Sequence, residues 1–160
     1  MTIDDMRAED WPAVARVFEE GLDLGTFEET VPGFDEWDAT HLHAPRLVAR
    51  DEHGTVLAWA ALGPVSRREC YRGVTEDSIY VAAAARGRGI GRALLEELCR
   101  RADEAGIWTI QAHMFADNAA SRALHEACGF RLVGIRERLA RKNGVWRSTA
   151  LLERRSALVA

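Results

Sequence analysis

The stretch Arg86-Gly-Arg-Gly-Ile-Gly-Arg92, RGRGIGR, decides how the rest of the chain is read. Three glycines alternate with basic and apolar residues where a helix begins. Glycine weakens a helix, and arginines crowd charge at its electropositive end. A glycine-rich turn that leads a strand into a helix gathers backbone N–H groups at one spot, where the helix dipole favours an anion. Glycines would let a diphosphate approach the backbone, and arginines would grip it. A tight turn with solvated arginines is the alternative that this short motif leaves open.

Working outward, Ile90, Leu94, Leu98 and Ala102 recur at helical spacing, predicting a helix from about Gly89 to Ala105 that Gly106 ends. TEDSIYVAA before the loop and IWTIQAHMF after the helix read as strands, giving one strand–helix–strand crossover. Toward the N-terminus, Asp10 is expected to cap a helix running to about Leu22, with Pro12 in its first turn. A Gly/Pro-punctuated segment then precedes a short helix reaching His43, and RLVAR and TVLAWAAL form a strand–turn–strand pair. NAASRALHEACGF is a short helix closed by Gly129, and FRLVGIRERL and WRSTALLERR are two final strands. The order is mixed α+β, with no repeat or linker, so residues 1–160 are expected to form a single domain.

A net charge of −4 argues against a general nucleic-acid binder. No apolar run approaches a membrane span, and the acidic N-terminus lacks a signal-peptide layout, so a cytoplasmic location is expected. Three scattered cysteines do not suggest a disulfide framework. His41 and His43 resemble half a metal site, which without further ligands predicts no metal.

Two phosphate-binding motifs fail on the loop. Gly91-Arg92-Ala93 lacks the Gly-Lys-Ser/Thr ending of a P-loop, and the next strand offers no carboxylate for a Rossmann fingerprint. Arg86-x-x-Gly89-x-Gly91 instead resembles the acyl-CoA signature of the GNAT N-acetyltransferase superfamily, and Asn118 to Phe130 resembles its second motif. Segments such as Thr26-Phe27-Glu28, Tyr71-Arg72-Gly73, Glu76 to Val81 and Asn143 to Trp146 extend the likeness to the phosphinothricin, methionine sulfone/sulfoximine and arsinothricin N-acetyltransferases. The resemblance implies the GNAT fold: a bent, splayed mixed α/β arrangement whose central sheet is flanked by helices.

It also implies acetyl-CoA as co-substrate, held by Tyr80, Val81, Arg86, Gly87, Arg88, Gly89, Ile90, Gly91, Arg92, Asn118 and Ser121. Acetyl transfer needs a base for the ammonium, donors for the carbonyl oxygen and an exit for the thiolate. Glu76 inherits the base by resemblance; a lone strand glutamate is otherwise a surface charge or an ion-pair partner. His125 stands where many relatives have a proton-donating tyrosine, and it is expected to donate a proton, position substrate or cap a hydrogen-bond network.

For the acceptor, the resemblance puts Arg72 on an acidic group, which guanidinium binds in two-pronged fashion, and Phe27 on an apolar wall. The implied activity is N-acetylation of a small acidic amino-acid analogue, in a homodimer with no nucleic-acid or membrane partner. Another amine (a polyamine, an aminoglycoside, a protein N-terminus) and a non-catalytic acyl-CoA module are the alternatives. The cluster Arg136, Arg138, Arg141 and Lys142 is either a contact for the CoA 3′-phosphate or a solvated strand edge.

Overall fold

The computed structural model describes residues 1–160. Its strands are β1 (Thr2–Asp5), β2 (Arg46–Arg50), β3 (Val56–Pro64), β4 (Val74–Val81), β5 (Thr109–Phe115), β6 (Arg131–Lys142) and β7 (Val145–Arg155). Its helices are α1 (Trp11–Glu19), α2 (Phe34–Thr40), α3 (Ile90–Glu104) and α4 (Ala119–Ala127). The strands form one sheet in the order β1-β2-β3-β4-β5-β7-β6. Every neighbouring pair is antiparallel except β4 and β5, which α3 connects as a parallel crossover. This is the mixed α/β arrangement of the GNAT fold.

The parallel pairing lasts only from Val74, Thr75 and Glu76 to Thr109, Ile110 and Gln111. Beyond Glu76, β4 continues to Val81 paired with β3 alone, while β5 continues to Phe115 paired with β7 alone. The sheet is therefore held from both outer sides and open along a seam at its centre.

Ala58 to Leu62 of β3 are buried without a break, so both faces of this strand are covered, and α1 and α3 both contact it. The apolar period of α3 becomes a buried face of Ile90, Leu94, Leu95, Leu98, Cys99 and Ala102. A fully buried leucine contributes about 1.5–3 kcal/mol, so this face anchors the helix whose first turn carries RGRGIGR. The predicted end holds: Gly106 follows in the left-handed region at φ 80°.

Two N-terminal boundaries differ from expectation. Asp10 does not cap α1 with its side chain; it has helical backbone, and its carboxylate accepts from Arg7 N–H at 2.8 Å and Arg50 at 2.7 Å. The helix stops at Glu19 rather than near Leu22, and Gly21 follows against the Tyr80 ring, where a β-carbon would stand 2.6 Å from a ring atom. The second helix stops at Thr40, short of His43. His41 turns back, stacks on Trp37 and hydrogen-bonds the Trp37 carbonyl at 2.7 Å through Nδ1.

Leu94 is fully buried where α3 meets the sheet. Leu94→Ala is expected to lower stability by about 2–5 kcal/mol, read as a shift in urea midpoint with an unchanged slope.

Candidate active site

The seam opens into a cleft of about 930 Å³ lined by residues of α1, the loop that follows it, α2, β3, β4, the glycine loop, β5 and α4. Its backbone chemistry follows from strand alternation. Ala82 N–H donates to Leu57 O, so the even-numbered residues of β4 direct their polar groups to β3; Gly73 O accepts from β5, so the odd-numbered ones face the other way. The N–H groups of Ile79 and Val81 therefore face the seam. The expectation for Val81 fits this geometry, but Tyr80 N–H belongs to the β3 ladder, and Ile79, which was not among the expected cofactor contacts, takes its place.

At one end of the seam the glycine loop turns into α3. Gly87 and Gly89 lie at φ 71° and 76°, a region that penalises any side chain. The first helical bond runs from Ala93 N–H to Gly89 O at 3.1 Å, which leaves the N–H groups of Ile90, Gly91 and Arg92 free at the helix start. A β-carbon on Gly91 would meet Val81 at 3.3 Å and Leu124 at 3.5 Å, so three elements converge there.

The arginines play unequal parts. Arg86 is tied to the backbone, donating to Val81 O at 3.1 Å and Glu20 O at 3.2 Å. Arg92 pairs with Glu96 at 2.8 Å, and Arg88 is not among the residues lining the cleft. The anion-binding capacity of the loop therefore lies chiefly in its amides. Free helix-start amides and an open strand edge suit the pyrophosphate and the amide-rich arm of acetyl-CoA.

Asn118 caps α4, its side chain accepting from Ser121 N–H at 3.1 Å, and both residues line the cleft. One turn on, His125 is buried against Asp77 of β4, with both side chains 3% exposed. Its Nε2 lies 2.9 Å from Asp77 Oδ2 and its Nδ1 2.7 Å from Ser121 O. Burial alone would push this imidazole down, but the Asp77 and Ser121 acceptors outweigh it and raise it above the ordinary 6.5. Both nitrogens face acceptors within the protein. Of the three roles open to His125, the geometry supports the capped network: a buried ion pair that fastens α4 to β4 across the seam.

Glu76 stands at the last parallel pair, where the strands part, with its side chain 38% exposed. His113 of β5 reaches it, Nδ1 to Oε1, at 2.8 Å. Tyr80 lies deeper, stacked on Trp59 and bonded to the Thr26 hydroxyl at 2.7 Å. Burial pushes this phenol up to about 12, so it stays neutral near pH 7. The loop bearing Thr26 and Phe27 is held over the cleft by Lys142, whose Nζ donates to the carbonyls of Leu22, Thr26 and Glu28 at 3.2, 2.6 and 3.1 Å. Lys142 thus straps one loop to the distant β6–β7 hairpin, a use absent from both readings of the basic cluster. Phe27 meets Phe115 edge-on at 4.9 Å and lines the cleft.

Arg72 is not brought to this site. Its side chain is 67% exposed, bonds Glu69 at 2.9 Å and lies over Trp108 at 5.5 Å, away from the cleft lining. Four residues of extended chain span about 13 Å, and Arg72 sits on the turn before the strand that carries Glu76. The lining arginines are Arg86 and Arg92, both of the glycine loop. His41 and His43 belong to no group of three or more potential metal ligands, and no helix is long and apolar enough to cross a membrane.

A family model, the Acetyltransferase (GNAT) family, matches residues 3–130. A phosphinothricin N-acetyltransferase of Alcaligenes faecalis is 35% identical over 162 residues, covering 96% of this chain and 81% of that protein. An L-methionine sulfoximine/L-methionine sulfone acetyltransferase of Pseudomonas paraeruginosa is 39% identical over 64% of this chain and 59% of that protein. Among solved structures, a GNAT superfamily phosphinothricin acetyltransferase from Sinorhizobium meliloti in complex with acetyl-CoA superposes with a TM-score of 0.85 at 34% identity, over 96% of this chain and 87% of that one. A ribosomal-protein-alanine N-acetyltransferase from Brucella melitensis superposes at 0.87 and 32% identity, over 98% and 100%.

The raised His125 gives folding a pH dependence. Its contribution is fully present below the unfolded value near 6.5 and is lost as pH rises through the folded value. Tm is therefore expected to fall as pH rises above about 6.5, a decline that His125→Gln removes while lowering Tm at acidic pH.

Proposed function

The chain belongs to the acetyltransferase (GNAT) family and is an N-acetyltransferase that uses acetyl-CoA; from this premise we propose that it acetylates the primary amine of a small acidic amino-acid analogue, of the phosphinothricin, arsinothricin or methionine sulfone/sulfoximine type. The observation that carries the proposal is the placement of Glu76 at the fork of β4 and β5, where a carboxylate borders the open seam. Acetyl-CoA, when bound, supplies the acetyl group as a thioester.

Glu76 takes a proton from the acceptor's ammonium, directly or through one water, and so frees the lone pair that attacks. The amides of Ile79 and Val81 align the thioester arm along β4 and offer donors where negative charge develops on the carbonyl oxygen. The amides of Ile90, Gly91 and Arg92 hold the pyrophosphate, with Asn118 and Ser121 on the opposite wall. His125, through Asp77, keeps the two walls at fixed separation. Phe27 closes the acceptor end against water. The chain is taken to act as one catalytic domain, with a homodimer as its working form.

A second acceptor class is favoured by one observation. The cleft beyond Glu76 presents Glu28 and Glu36 and no arginine outside the glycine loop. Such a surface attracts a cation without gripping an acid, which suits a peptide or protein α-amine. An acidic analogue would need a basic group from a second subunit or binding through neutral donors.

Thiol release measured with phosphinothricin, arsinothricin, methionine sulfone, methionine sulfoximine, an alanyl peptide and spermidine separates these readings. Turnover confined to the acidic analogues is expected, and Glu76→Gln should lower kcat about 10²–10⁴-fold with little change in the KM for acetyl-CoA. Preference for the peptide would replace the acceptor class. Arg72→Ala should leave turnover nearly unchanged if Arg72 acts on neither subunit's cleft.

A further inference from the structure

The side chain opposite the base is unusual in its own right. His113 Nδ1 lies 2.8 Å from Glu76 Oε1, while its Nε2 is buried with no hydrogen-bond partner, and the ring lines the same cleft. A nitrogen and a carboxylate oxygen at that distance require a proton between them. Placing it on Nδ1 leaves Nε2 as a bare lone pair, and an unpaired buried acceptor is better tolerated than an unpaired buried N–H. Glu76 Oε2 has no hydrogen bond within the chain and remains available.

We infer that His113 is the positioning residue of the base: its ring donates Nδ1–H to Glu76 Oε1 and aims Oε2 at the acceptor. The inference rests on Glu76 being the base. In the working state, the acceptor's N–H bond breaks as an O–H bond forms at Glu76 Oε2; the freed lone pair forms the N–C bond at the thioester carbonyl, the C–S bond breaks, and the departing thiolate is protonated by the second proton that the nitrogen loses; His113 keeps its own proton throughout.

The surroundings isolate this pair from other charges. On β4, Asp77 is already committed to His125. On β7, Leu151 lies opposite His113, and Glu153, two residues away, pairs with Arg131 at 2.7 Å. Arg147 lies over the Phe115 ring and is held by Asp117 at 2.8 Å. From the loop above come Phe27, edge-on to the imidazole at 6.5 Å, and Glu28 at the cleft wall. Glu76 is the one charged group in hydrogen-bonding contact with the ring.

The test is kcat/KM for the acceptor in wild type, His113→Asn and His113→Leu at one near-neutral pH. Asparagine keeps a donor near the Nδ1 position. His113→Asn is expected to stay within about threefold of wild type. His113→Leu loses the donor, and its kcat/KM should drop about 10- to 100-fold with an unchanged KM for acetyl-CoA. A His113→Asn variant as impaired as His113→Leu, or a His113→Leu variant equal to wild type, overturns the inference. Long-range ¹H–¹⁵N spectra of the free protein give a readout that needs no turnover. The neutral ring should carry its proton on Nδ1, and Glu76→Ala should release that preference. A ring protonated on Nε2 overturns the inference, whereas an Nδ1–H ring in a protein that acetylates no amine overturns the functional reading alone.

Discussion

Three residue pairs between β4 and β5, and no more, set the terms for this molecule. A central strand that loses its neighbour midway exposes N–H and C=O groups that folding normally pairs, and each left dry costs free energy. Here the exposed edge of Ile79 and Val81 borders a cleft, so water or a ligand can satisfy it. The break is tolerable because each strand keeps an antiparallel partner on its outer side, β3 for one and β7 for the other. The apolar face of α3, the convergence at Gly91 and the buried Asp77–His125 pair all hold the halves in that parted arrangement.

Glu76 and Asp77 are adjacent carboxylates with opposite fates. Strand alternation sends them to different sides, and burial does the rest. Asp77 is sealed from water, where an unpaired charge would be very costly, and is matched by His125, whose other nitrogen is held by Ser121 O. Glu76 keeps contact with the cleft and is reached by the His113 ring, which leaves its second oxygen without a partner. One strand thus sets one carboxylate in a sealed pair and its neighbour at the open cleft.

Much of this was legible before any coordinates. RGRGIGR marked the turn, the apolar period marked α3, and Gly129 marked the close of α4, because these signals are local in sequence. The alternation that separates Glu76 from Asp77 was equally legible. Their partners were not, since His113 and His125 come from β5 and α4, 37 and 48 residues away, and neither lies in a motif that names a carboxylate. The placement of Arg72 was not legible either, because resemblance transfers a residue's role without its rotamer; its guanidinium lies against Glu69 and Trp108. The donor at Ile79 was hidden because a backbone amide has no side-chain signature, and only the direction of the ladder reveals it.

The strap at Lys142 has a consequence for anyone reshaping the cleft. Its ammonium binds three carbonyls of the segment that carries Thr26 and Phe27, and Thr26 in turn holds Tyr80, which packs on Gly21. Substitutions in that segment and in the far hairpin therefore act on one shared geometry. Their effects on acceptor choice should be strongly epistatic, so that changes neutral in one background become decisive in another. Variation in acceptor scope would then track combinations of residues at these distant positions better than any single pocket residue.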